Sequence, residues 1–286
     1  YFFPEVAFRR SGTGFQGIIN HPQIFGPVMA IVGALILGKL LIEKRPSWGH
    51  LFLFFSIFIL IILTESRTAL VALVIGTILA IFYISLISKY GVRAYIPAVK
   101  SKRAFLIGIL IIIFLVLDSL LFNFVDYFIT KSFQADVDGL FDAFSTSRAV
   151  LYEPMIANIK ENPLSGIGFG IASDYSSMEI ARDPILGLPL GAPVEKGVTP
   201  IMILEEVGII GFIIFFIWLL FILSRSLKKG IGPFLVLLTL LLANLSEATL
   251  FSPGGAGLFQ LIILSSCVTR VRFSQYPSKK AIKEIL

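Results

Sequence analysis

Seven stretches of this chain are apolar over about the length a helix needs to cross a bilayer, near 22–42, 48–64, 67–88, 103–121, 200–223, 231–248 and 255–272. About 20 apolar residues in a helix cover the roughly 30 Å of hydrocarbon. In lipid every backbone N–H and C=O must be paired, which leaves helical bundles and closed barrels. No stretch alternates as a barrel strand does. The expected fold is therefore all-α, a polytopic helical membrane protein with about seven transmembrane helices and one long structured extracytoplasmic loop. Composition agrees: 56% of the 286 residues are hydrophobic, 15% are charged, and the mean hydropathy is +0.91. Soluble domains are about half apolar and about a quarter charged, so a cytosolic enzyme and a disordered tail are both excluded.

The basic residues orient the bundle. Lys44 and Arg45, then Lys89, Arg93, Lys100, Lys102 and Arg103, then Arg225, Lys228 and Lys229 occupy alternate connections. The tail adds Arg270, Arg272, Lys279, Lys280 and Lys283, and all four segments fall on one side, assigned as cytoplasmic. The opposite side holds residues 1–21, the short turn at Glu65, a long segment near 122–199 and the turn near Ser246–Gly254. That long segment has ten Asp and Glu against Lys131, Arg148, Lys160, Arg182 and Lys196. The net charge of +6 thus reads mainly as topology rather than affinity for nucleic acid. The expected organisation is a bundle over 1–121, an extracytoplasmic loop domain over 122–199, and a second bundle with a basic tail over 200–286. The chain starts at Tyr1 without Met, in what reads as a loop, so an N-terminally truncated bundle is expected.

Within the long segment, Ser145-Thr146-Ser147 offers helix caps. Leu151, Met155 and Ile159 follow at a spacing of four, and Asn162-Pro163 ends the pattern, with Pro154 a possible kink. The Gly166, Gly168, Gly170 run has no strand before it and no βαβ unit around it, so it reads as a tight turn rather than a dinucleotide fingerprint. One cysteine and two histidines leave no ligand set for a metal, and no cofactor is expected.

Chemistry is sought among polar groups at the outer helix ends, because a charge in hydrocarbon costs roughly 2.5–3.5 kcal/mol and so faces a cavity or a partner. Glu65 and Arg67 suit interfacial solvation or a mutual ion pair. Equally, Arg67 suits a buried anion, since its fork matches phosphate oxygens. Arg9 and Arg10 precede Gly12, Gly14 and Gly17, a pattern that fits a flexible loop or a backbone cradle for phosphate. Arg148 at a helix start opposes the dipole unless an anion is near. Glu205 and Glu206 lie near the start of the fifth span. Neighbours on a helix point about 100° apart, so one is expected to face solvent and one to be buried. His21, before Pro22, fits a cap residue or a base, and His50 fits an interfacial position.

In order and spacing, four segments resemble the O-antigen ligase and polymerase family of bacterial membrane glycosyltransferases. They are Gly17-Ile18-Ile19-Asn20-His21-Pro22-Gln23; Ser66-Arg67-Thr68-Ala69-Leu70; Ser147-Arg148, Tyr152 and Asn162 to Gly170; and Leu204-Glu205-Glu206-Val207-Gly208 to Gly211. The resemblance implies a metal-independent inverting transfer at the outer face of the bacterial cytoplasmic membrane. The donor would be a polyisoprenoid-diphosphate-linked glycan and the acceptor a glycan or lipid, with Arg67 and Arg148 stabilising the diphosphate. Ligase members carry a loop His about eleven residues before the Gly of the Glu-x-Gly motif. Here Gly197 stands at that place, flanked by Lys196 and Val198. Either the base is Glu206, His21, Glu65 or Glu195, or the polymerase branch uses a different arrangement, or the chain is inactive as a ligase, while Arg9, Arg10, Glu65, Glu195 and Lys196 are candidate substrate contacts. The family usually has ten or more spans, which would place missing helices before Tyr1. From the residues alone, a transporter of a small anion such as bicarbonate, or a non-catalytic scaffold, stays open.

Overall fold

The computed structural model describes residues 14–17, 22–43, 47–89, 152–174, 196–245, 247–251 and 255–269. Among these residues every regular element is a helix. They are α1 (Pro22–Ile42), α2 (Trp48–Leu63), α3 (Arg67–Lys89), α4 (152–161), α5 (Thr199–Lys229), α6 (Ile231–Ala243) and α7 (Gly255–Val268). The expected span at 103–121, Asp118, and most of the long segment lie outside the described residues, as do Arg9, Arg10, His21, Arg148 and Glu195.

α1 and α5 are long and apolar enough to cross a bilayer. α2, α6, α7 and the Arg67–Tyr83 part of α3 are equally apolar but shorter. Two expected runs end early, 231–248 at Ala243 and 255–272 at Val268, while 200–223 extends to Lys229. Asn244 explains the first of these. Its amide donates back to the Leu240 carbonyl at 2.8 Å, and its Oδ1 takes the Leu250 N–H at 2.8 Å, turning the chain out of the helix.

α6 is apolar on all sides and is buried nearly throughout, as expected of a helix at the centre of a bundle. It packs on α1, α3, α5 and α7. Close approach depends on small residues: a Cβ on Gly38 of α1 would lie 2.8 Å from the Gly232 Cα of α6. The outside is the reverse. Trp48, Phe52, Ile78, Phe82, Ile214, Ile217, Leu258 and Ile262 are all exposed. So wide an apolar surface is stable against lipid and not against water.

Contacts between helices fix which ends lie together. The start of α1 meets the α2–α3 turn at Gly26 and Ser66, while its end meets the start of α6 at Gly38 and Gly232. Tyr83 of α3 stacks near Phe234, with ring centroids 5.6 Å apart, and Gly76 abuts Thr239. Lys229 at the end of α5 donates to the Ser266 carbonyl near the end of α7 at 2.7 Å. One end of the bundle therefore carries the starts of α1, α3, α5 and α7 and the end of α6. The basic residues Lys39, Lys228 and Lys229 lie toward the other end.

Candidate functional site

The first end of the bundle holds two polar clusters. At the α2–α3 turn, Thr64 Oγ1 donates to the Ile61 carbonyl at 2.6 Å and accepts the Ser66 N–H at 3.2 Å. Between them Glu65 adopts φ 54°, the one positive φ outside glycine among the described residues. A non-glycine residue there stores strain that the surroundings must hold. Part of that hold is Phe15, whose N–H donates to the Leu63 carbonyl at 2.7 Å, laying residues 14–17 across the turn. Glu65 and Arg67 are both partly buried, Arg67 opening α3.

The second cluster sits where α5 breaks. Gly208 has φ 65° and ψ −172°, about two turns into the helix. In an unbroken helix the carbonyls of Glu205 and Glu206 would take the N–H groups of Ile209 and Ile210. Here they take those of Ile167 and Gly168, each at 2.9 Å. The released N–H groups of Ile209 and Ile210 donate to Pro163 and Leu164 at 2.9 and 3.4 Å. Two helical bonds are exchanged for four between segments, so the break leaves none of these four groups orphaned. The glycines are required sterically: a Cβ on Gly208 would collide with the Leu164 backbone, and one on Gly166 with the Glu206 carbonyl. The Gly166–Gly170 run is thus a turn, as expected, and also the partner of the Glu205-Glu206-x-Gly208 motif.

This clasp brings charges together. Lys196 Nζ lies 2.8 Å from Glu205 Oε2 and 3.0 Å from Glu206 Oε1, and all three side chains are buried. The expectation that one of the adjacent glutamates faces solvent is therefore corrected: Lys196 lies over the edge between them and reaches both. A turn at Gly197, with φ 67°, precedes α5. Glu205 is further held by Asn158 Nδ2 at 2.7 Å and Ser173 Oγ at 3.0 Å. For Glu206 the clear partner is Lys196. Its side chain also lines a cavity of about 410 Å³ whose other walls, including Phe169, Ile203, Val207, Phe215, Trp218 and Phe251, are apolar.

Of the site residues marked in the sequence, Lys196 and Glu206 fall in one cluster, together with Glu205, and Glu65 and Arg67 in the other at the same end of the bundle. Asn158, Ser173 and the aromatic cavity were not anticipated. A helical spacing that puts Asn158 on the same face as Met155 was the one available signal for Asn158. Among the described residues no group of His, Cys, Asp and Glu could hold a metal ion.

Residues 51–189 match the O-antigen ligase family. The matched region contains Arg67, Arg148 and the Gly166–Gly170 run, and ends before Lys196 and the two glutamates. The match supports the resemblance to the O-antigen ligases and polymerases, and with it a membrane-integral glycosyltransferase of O-antigen ligase type in general terms. No curated protein matches the chain.

Proposed function

We propose that the protein transfers or polymerises a glycan from a polyisoprenoid-diphosphate donor at the extracytoplasmic face of a bacterial cytoplasmic membrane. The observation that carries this is the gathering of both polar clusters at one end of an apolar bundle, the end opposite Lys228 and Lys229. A metal-independent displacement at an anomeric carbon needs positive charge on the departing diphosphate. Arg67 and Arg148 take that role in this reading, with Arg9 and Arg10 as further contacts to the substrates. An acceptor hydroxyl attacks with inversion, its proton going to a base drawn from Glu206, His21, Glu65 and Glu195.

The test is transfer by the purified chain in nanodiscs, with lipid-diphosphate oligosaccharide as donor. Arg67→Ala and Arg148→Ala should each slow product formation by about 100- to 1,000-fold, the range seen on removing one donor to a developing oxyanion. Undiminished rates in both variants would sink this mechanism. The anion-transport alternative gains little from the break in α5, because the Glu205 and Glu206 carbonyls and the Ile209 and Ile210 N–H groups are taken by residues 163–168.

A further inference from the structure

Among the described residues Glu206 is the one charged residue lining the 410 Å³ cavity. It is 4% exposed, and its Oε1 is 3.0 Å from the Lys196 ammonium. We infer that this cavity receives the acceptor sugar and that Glu206 takes the proton of its attacking hydroxyl; the inference rests on the glycosyl transfer proposed above.

The charge count is the first argument. Lys196, Glu205 and Glu206 together bring one ammonium and two carboxylates into a buried cluster. A buried surplus of negative charge is costly unless an acidic hydrogen is presented to it, and a substrate hydroxyl is such a group. Glu205 is the wrong acceptor. It is fully buried, and its oxygens are engaged by Asn158, Ser173 and Lys196. Glu206 keeps the opening to the cavity. Lys196 and Glu205 are positioning residues, orienting the carboxylate without meeting the substrate. Among the described residues the other titratable groups near the clasp are Tyr152, packed against Met155 and Met202, Glu153, Lys160 and Glu161, exposed on α4, and Asp174 and Glu247 in connecting turns.

The walls are the second argument. Phe169, Phe251, Phe215 and Trp218 form a chain of ring contacts, with centroids 6.3, 6.0 and 5.7 Å apart in turn. Phe169 follows Gly168, whose N–H is bonded to the Glu206 backbone carbonyl, and both Phe169 and Glu206 line the cavity. Aromatic faces suit the C–H face of a sugar ring, and a lone carboxylate suits its hydroxyl groups. The surplus negative charge repels a diphosphate, which separates this subsite from the donor's phosphates. In the step, the acceptor O–H proton passes to a Glu206 oxygen as the acceptor oxygen bonds the anomeric carbon. The bond from that carbon to the diphosphate oxygen breaks, and its electron pair leaves with the lipid diphosphate.

The experiment uses the full chain in nanodiscs with lipid-diphosphate oligosaccharide and a free glycan acceptor. Donor binding and single-turnover rate are measured separately across pH. The wild-type rate should rise with pH through one inflection to a plateau. Glu206→Gln should bind donor as wild type does, run about 100- to 10,000-fold slower, and lose the inflection. Glu206→Asp should retain the inflection at an intermediate rate. A structural role alone would lower the rate while keeping the inflection, so an inflection that survives in Glu206→Gln overturns the inference. If Glu206→Gln does not fold, Glu206→Asp decides, and a wild-type rate with unchanged acceptor KM overturns it. A wild-type protein that binds no donor overturns the transfer reading as well, whereas normal donor binding with an unaltered profile in the variants overturns only the role of Glu206.

Discussion

Gly208 sits inside a helix at φ 65°, with the Leu164 backbone occupying the space where a Cβ would stand. Gly208→Ala therefore meets two costs, the left-handed backbone at about 1–2 kcal/mol and the overlap at about 1–3 kcal/mol. Destabilisation of about 2–5 kcal/mol is expected, measured by denaturant unfolding in detergent; a loss under 0.5 kcal/mol would contradict the clasp. Lys196→Met leaves two buried carboxylates with no ammonium between them, and breaking a buried pair in this way costs about 3–5 kcal/mol. Reduced yield and a lowered Tm are the readouts. At this scale the sequence was partly legible. Gly208 stands out as a glycine within an apolar helix, and Glu205 and Glu206 as charges near a span. That Lys196 faces both glutamates depends on the turn at Gly197 and the clasp, neither of which a helical wheel contains.

Among the elements, α6 shows how hydropathy and helix length come apart. Leu245 and Ala248 extend apolar character past Asn244, so the expected span reached 248, whereas the helix stops at Ala243. Asn244 makes five hydrogen bonds, to the Leu240 carbonyl, the Gln260 side chain, the Leu250 N–H, and the N–H and hydroxyl of Thr249. A window average counts one polar residue there and cannot tell that its amide is spent on the backbone. Asn244→Leu strips these bonds and leaves Oε1 of the buried Gln260 without the Asn244 donor, while Gln260 Nε2 keeps Thr249. A loss of about 1–3 kcal/mol is expected, the cost of a stranded buried polar group, with faster hydrogen exchange at Thr249 and Leu250. Unchanged exchange at those two amides would show that the turn holds without Asn244. The starts of α1 and α3 were legible, because Pro22 and the short turn at Glu65 are local signals, while the Ser47 cap that opens α2 is a finding of the structure.

For the whole molecule, the helix contacts and the basic residues agree on two opposite ends. In a background with Cys267 replaced, a single cysteine at Glu65 should react with an impermeant maleimide in intact cells, and one at Gly230 only after the cells are opened. Labelling of Gly230 but not Glu65 in intact cells would reverse the topology and, with it, the proposed face of transfer. The alternation of Lys and Arg made this plan readable in advance. The aromatic cavity was not readable, since Phe169, Phe215 and Phe251 come from three separated parts of the chain and meet only after folding.

The exchange of hydrogen bonds at Gly208 also dictates an order of assembly. Residues 163–168 are synthesised before α5, yet they cannot dock on a helix that does not exist. Until they dock, α5 can pair its own peptides only by running straight, as unpaired groups are too costly in lipid. The bent form is then a late product, made when the loop inserts and Gly208 swings from a helical φ to 65°. Membrane helices form first and associate afterwards, and here association rewrites the backbone of one of them. The burial of Lys196 with Glu205 and Glu206 awaits that last step, so the site comes together only once the chain on both sides of it is in place.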